Sequence, residues 1–522
     1  MFSAGAQPVS MLGVLDVRSR SLMKNVADRM IRGSIWLSLS RAIVNALSAL
    51  STFVLAWYLV PSDFGLVAIA TTIQVILSSV TELSLGQALI RHESPGETHF
   101  SAVWTLSVTR SAILALVFAA SSYPIAEFYD EPRLTSVMLA LSFSLLLSGL
   151  ANPRRVMLQR DLIFWQEFVL NVSQKLVGFV VTVAIAAIYQ SYWALVIGTL
   201  AYQVTNIIVS YTVLPFWPRI TFRHARELFS FSVWLTAGQI VNTLNWRIEY
   251  LLIGKMLGAT QLGHYTVGNT LSTLPTREAT APLNQTIYPG FSKVRNDPVR
   301  LVAAYQRAQA LMAAVALPAG IGMAVVADPM MRLALGEKWA PAIFIVQALA
   351  SVFALQTLGS LVQPLGMAKG HTKMLFIRDT QMLVVRIPII IAGLMMAGLP
   401  GVVYARVLTG LISTVVNMLL VKRLINLPFF QQLAANFRAL ASVALMAAGI
   451  WGLSHIMSAP VDKLALALHL AILVITGGIL YVGSSFVLWL AMNKPNGPET
   501  EVQRIFAKFL SKAKRIAVPK SA

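Results

Sequence analysis

Fourteen apolar stretches follow one another along this chain, at 34–60, 65–88, 101–125, 134–152, 165–189, 192–214, 229–254, 264–289, 308–327, 341–363, 374–398, 401–421, 437–457 and 464–491. Each is about the length that crosses a bilayer as a helix, roughly 20 mostly apolar residues. In hydrocarbon the backbone has no partner but itself, so such segments are helical. Only 12% of residues are charged and 57% are hydrophobic, against about 25% charged in a soluble domain. The fold class expected is therefore an all-α polytopic membrane protein. The loops are too short for a folded extramembrane domain. Cysteine is absent, which excludes disulfides and thiol–metal sites. The first 32 residues lack the apolar core and small-residue cleavage site of a signal peptide.

The net charge of +20 would point to nucleic acid in a soluble chain; among apolar runs it points first to topology. With a cytoplasmic N-terminus, 28 of the 41 lysines and arginines fall on the cytoplasmic side, 5 on the other and 8 inside spans. That alternation predicts about fourteen crossings, N-in and C-in, and no nucleic-acid partner. In the tail, Ile505, Phe506, Phe509, Leu510, Ala513, Ile516 and Ala517 recur at helical spacing, with Lys508, Lys512, Lys514 and Arg515 largely elsewhere. This reads as a helix lying on anionic membrane lipids, or as a solvated basic tail.

The chain partly repeats itself. SIWL at 34–37 returns as SVWL at 232–235, and IVN at 43–45 as IVN at 240–242. Gly65 and Gly263 keep the offset of 198. Both copies begin odd-numbered spans, so the repeats are parallel, an arrangement that encloses a central site and alternates access by rocking. The organisation expected is a basic N-terminus (1–33), an N-lobe of six spans (34–228), a C-lobe of six spans (229–436), two appended spans (437–491) and a basic amphipathic tail (492–522).

Polar residues form stripes within spans. Ser34, Ser38, Arg41, Asn45, Ser48 and Thr52 share one face of span one. Gln239, Asn242, Trp246 and Glu249 share one face of span seven, and Thr270, Thr273, Arg277, Thr280 and Asn284 line span eight. Hydroxyl and amide stripes can simply join helices. The intramembrane cations Arg41, Arg110, Lys175, Arg247, Arg277, Arg378, Arg386 and Arg406 outnumber the acids Glu249, Glu278 and Asp379. Intramembrane charge is costly and faces a protein or aqueous interior. Near span ends, Arg378 and Arg110 would reach for head groups; Asp379 would pair with Arg386. The remainder predict a cationic cavity for a phosphate-bearing substrate, built by Arg41, Asn45, Lys175, Arg247, Arg277, Arg386 and Arg406, since guanidinium grips phosphate bidentately. Glu249, Glu278 and Asp379 either satisfy neighbouring arginines or bind H⁺ or Na⁺ and couple transport to a gradient.

There is no P-loop, no metal-spaced histidine cluster and no acidic catalytic loop, so an enzyme is not expected and no cofactor is required. The segments LAWYLVPSDFGLVAIA at 55–70, YWALVIG at 192–198, LLIGKMLGATQLGHYTVG at 251–268 and YPGFSKV at 288–294 resemble the polysaccharide transporter (Wzx-type flippase) family of the multidrug/oligosaccharidyl-lipid/polysaccharide superfamily, most of all its exopolysaccharide and succinoglycan branch. The resemblance covers roughly 30–490. It implies a flippase that moves a polyprenyl-diphosphate-linked oligosaccharide across the bacterial inner membrane by alternating access, working beside a polysaccharide polymerase and chain-length proteins. It also implies that Arg41 matches the basic residues lining the first helix of lipid II flippases. This chain departs from the family at Trp57, where relatives often carry arginine, and at Glu249, where they carry aspartate. Two alternatives remain open: an ion-coupled multidrug exporter of the same superfamily, and a non-transporting scaffold of a synthesis complex, whose helices would pack shut.

Overall fold

The computed structural model describes residues 36–81, 89, 95–160, 163–223, 233–457, 462–494, 497–500 and 503, without the side chains of 159, 233–237 and 285. The expected helix at 505–517 lies outside them. The described residues are helical almost throughout and contain no strand. We number the long helices α1 (Trp36–Tyr58), α2 (Pro61–Val80), α3 (Glu97–Ala120), α4 (Arg133–Gly149), α5 (Phe164–Tyr189), α6 (Trp193–Val213), α7 (Val233–Val294), α8 (Pro298–Val325), α9 (Ala340–Ser360), α10 (Thr372–Ile425), α11 (Phe437–Ile456) and α12 (Lys463–Ala491). Among the described residues ten helices are long and apolar enough to cross a membrane, and the chain is a multi-pass membrane protein.

Local chemistry sets the ends. Pro61 occupies the first turn of α2, where a missing N–H costs nothing, and the Asp63 carboxylate accepts the Val60 N–H at 3.3 Å. Asp297 and Asp462 are N-caps: Asp297 accepts the Arg300 N–H at the start of α8, and Asp462 those of Leu464 and Ala465 at the start of α12. α7 and α10 each fold back on themselves. α7 turns at Gly258, with φ 80° and ψ 175°, a backbone open only to glycine. Its arms are antiparallel: the Tyr250 and Tyr265 rings lie 5.5 Å apart, and Asn269 donates to the Tyr250 hydroxyl at 2.9 Å. α10 turns at Ala397 and Gly398, and Gly393 packs on Gly401 across the hairpin. Within the described residues, each of the fourteen apolar stretches overlaps a helix or one arm of a hairpin. α2 begins earlier than the expected residue 65, because Pro61 and Asp63 form a start signal that hydropathy alone overlooks.

Helix α3 packs on α4, α4 on α6 and α6 on α5; α7 to α10 form a second packed group, and α11 and α12 pair with each other against α8. The groups meet chiefly where α2 lies on α7, in a buried cluster that includes Leu66, Ile69, Ile253, Leu262, Val346 and Val402. This contact is reciprocal. Gly65 abuts the carbonyl of Ala259, and Gly263 abuts the carbonyl of Pro61. Both pairs are related by the repeat offset of 198. A Cβ on either glycine would overlap the facing carbonyl.

Side chains reinforce this end of the bundle. Trp339 donates its indole N–H to the Ala56 carbonyl at 2.9 Å. Lys338 donates to the carbonyls of Trp57 at 2.8 Å and Leu59 at 3.0 Å. These carbonyls close α1, where a helix exposes unpaired acceptors and negative partial charge. Trp57 in turn donates to the Ala334 carbonyl. Lys255, beside the α7 turn, pairs with Asp130 at 2.9 Å. Nearby, the bonded Arg133 guanidinium holds the Glu131 carboxyl below its usual range.

Candidate functional site

A cavity of about 880 Å³ lies within the second group, toward the end where α7 and α10 begin and away from their turns at Gly258 and Gly398. Its wall is built from α7 (Gln239, Asn242, Asn245, Trp246, Thr273, Arg277), α9 (Phe353, Gln356) and α10 (Arg378, Asp379, Arg386, Asn417), among others. Three arginines face a single carboxylate. Amides and hydroxyls supply most of the other polar lining, which suits a ligand rich in hydroxyls and phosphate oxygens.

The arginines are held in different ways. Arg277 is over half exposed and pairs with its neighbour Glu278 at 3.0 Å. Glu278 also accepts a 2.6 Å hydrogen bond from Asn45 of α1, so the first helix is tied directly to this corner. Arg378 donates to Asn417 at 2.9 Å, to Gln363 at 2.8 Å and to Asp379 at 2.7 Å. It does not reach for head groups, because Gln363 on a neighbouring helix and Asn417 on the other arm of α10 draw it inward. Asp379 pairs with this arginine and not with Arg386 as the spacing suggested. Arg386 is buried and donates instead to the Asn245 carbonyl. Asn245 crosses back to the Asp379 carbonyl at 2.9 Å, locking α7 to α10 behind the cavity.

The remaining expected residues lie elsewhere. Arg406 and Glu249 are both fully buried, 3.7 Å apart, with the Trp246 ring 4.8 Å from the guanidinium. Arg247 stacks 5.5 Å over Tyr250 of its own helix. Arg41 on α1 is exposed and Lys175 on α5 half-buried, and neither is part of this cavity wall. Arg110 donates to Thr81 at 3.0 Å and to the Ser78 carbonyl at 2.7 Å at the end of α2, held by protein and not by head groups. Sequence reasoning missed Asn245, Gln356, Gln363 and Asn417. Asn245 lies three residues after Asn242 and four before Glu249, on the same side of α7, but only the neighbouring α10 shows what it bonds to. Among the described residues no cluster of His, Cys, Asp or Glu could hold a metal ion.

Comparison with known proteins agrees with this architecture. The lipid II flippase MurJ, in an inward closed conformation, superposes with a TM-score of 0.68 at 14% identity, over 88% of this chain and 99% of that one. An inward-facing multidrug resistance MATE transporter of the MOP superfamily gives 0.59 at 13% identity, over 78% and 98%. In sequence the chain is 23% identical to the lipopolysaccharide biosynthesis protein WzxC of Escherichia coli (strain K12), over 75% of this chain and 81% of the relative. It is 23% identical to the teichuronic acid biosynthesis protein TuaB of Bacillus subtilis (strain 168), over 88% and 96%. It is also 23% identical to the succinoglycan biosynthesis transport protein ExoT of Rhizobium meliloti (strain 1021), over 62% and 64%. The family described as "Polysaccharide biosynthesis protein" matches residues 54–344. By that match, which spans more than half its length, the chain belongs to the polysaccharide biosynthesis protein family.

Proposed function

We propose that this protein is a flippase for a polyprenyl-diphosphate-linked oligosaccharide, carrying it across the bacterial inner membrane for polysaccharide assembly. The observation that carries the reading is the pairing of a cationic, amide-lined cavity at one end of the bundle with the reciprocal helix contact that closes the other. Arg277, Arg378 and Arg386 would hold the diphosphate, the amides the sugar, and the lipid tail would stay in the bilayer. With N-in, C-in topology and fourteen crossings, the cavity end is cytoplasmic, where lipid-linked repeat units are made. Two six-span lobes rocking about the Gly65–Gly263 contact would then alternate access. The presence of a cavity argues against the scaffold alternative, and three arginines against one carboxylate argue against cationic drugs, which such a field repels.

Coupling to H⁺ or Na⁺ has three candidate carboxylates, Glu249, Glu278 and Asp379. Each has an arginine as neighbour here, so a coupling cation must compete with a tethered one. No cofactor is needed. Arg277→Ala should abolish polymer export while leaving the amount of protein in the membrane unchanged. Normal export by that variant removes Arg277 from the mechanism, and efflux of cationic drugs by the wild type would favour the exporter alternative.

A further inference from the structure

Arg406 sits in the second arm of α10 with 0% of its surface exposed. None of its three guanidinium nitrogens finds a hydrogen-bond acceptor in the protein. The Glu249 carboxylate is 3.7 Å from Nε, and the Trp246 and Phe353 rings lie 4.8 Å and 5.7 Å from the guanidinium carbon. An arginine has five N–H donors, and leaving them unused in a low-dielectric interior is unfavourable. Apolar residues in place of both Arg406 and Glu249 would fill the space without that cost, since buried ion pairs are often replaced by apolar residues without loss of stability. Packing alone therefore gives no reason for arginine here.

The position supplies one. Trp246 and Phe353 both belong to the cavity wall, so the unused donors lie one aromatic layer behind it. Trp246 is 47% exposed, which leaves it room to turn into the cavity. Asn245 and Arg386, at the same part of the wall, already hold each other. The Arg386 Nε is likewise without an acceptor.

We propose that Arg406 is a reserve phosphate-binding group, parked against Glu249 behind the Trp246 indole and brought to a diphosphate when that indole leaves the wall. The proposal rests on the flippase reading and adds to it a subsite absent from the open cavity surface. Trp246 then acts as a lid whose displacement costs affinity, and Arg406 as the group that repays it.

The two roles predict opposite effects. The full-length protein in detergent micelles is titrated with farnesyl diphosphate, with farnesol as the control for the hydrocarbon chain. The probe has no sugar, so lost stacking on Trp246 does not enter. Trp246→Ala should bind farnesyl diphosphate severalfold more tightly. The double variant Arg406→Met/Glu249→Leu, which leaves no unpaired buried charge, should bind it about tenfold more weakly, the loss of a charge-assisted hydrogen bond. Unchanged or weaker binding by Trp246→Ala overturns the proposal, as does wild-type affinity in the double variant. If the double variant does not fold, Trp246→Ala decides alone. Failure of the wild type to prefer farnesyl diphosphate over farnesol is a different result, and sinks the diphosphate reading of the cavity itself.

Discussion

Arg378 touches three polar groups, Asn417, Gln363 and Asp379, and is the most thoroughly positioned cation in the cavity. Removing it leaves Asp379 as a carboxylate without its guanidinium. Arg378→Ala should therefore reduce polymer export by tenfold or more, on the order of 1.4 kcal/mol or above. Adding Asp379→Asn should recover part of it, because the unpaired negative charge is then gone. Export is read per amount of membrane-inserted protein. No recovery would mean that Arg378 acts on the substrate alone and not through Asp379. The charges themselves were legible in the sequence: Arg277, Arg386 and Asp379 stand out as intramembrane charge, and all line the cavity. Their partners were not. Spacing along one helix gives depth and face, but which neighbouring helix supplies the acceptor depends on packing. Hence Arg378 read as a residue reaching for head groups, and Asp379 as the partner of Arg386.

The two hairpins depend on single glycines. Gly258 and Gly398 hold φ of 80° and 60°, with ψ values that a side chain resists. Gly258→Ala and Gly398→Ala should each destabilise the protein by about 1–3 kcal/mol, seen as a lower Tm in detergent micelles. Gly478→Ala on α12, where a Cβ meets nothing within 4 Å, should be neutral or slightly stabilising. Equal effects at all three would mean that the turns tolerate a side chain. Hydropathy located the helices well because the bilayer admits little else. It was weakest for α7, which is absent from the ten helices apolar enough to cross on their own. The polar residues that dilute its hydropathy include Gln239, Asn242 and Arg277, which line the cavity.

At the scale of the molecule, the internal repeat was legible as an offset of 198. Its use was not. Nothing in the sequence says that Gly65 and Gly263 meet each other's neighbours across the joint. Gly65→Ala or Gly263→Ala should prevent that close approach and favour the state open at this end. The chain has no cysteine, so a single cysteine at Val267, 1% exposed here, reports opening directly. Its reaction with a membrane-impermeant maleimide should rise in either alanine variant, and an unchanged rate would show that the glycines do not govern opening.

The same joint has an electrical consequence. A polar chamber carries the potential of the side it opens to, so the voltage across the membrane falls mainly over the short closed end. One elementary charge moved through 100 mV changes energy by about 2.3 kcal/mol. Lys338, Lys255 and Asp130 stand at that closed end. An energised membrane should thus bias which end is closed, and collapsing the potential with an ionophore should change the maleimide reactivity of Val267→Cys. An unaltered rate would mean that the charges at the closed end do not move across the field.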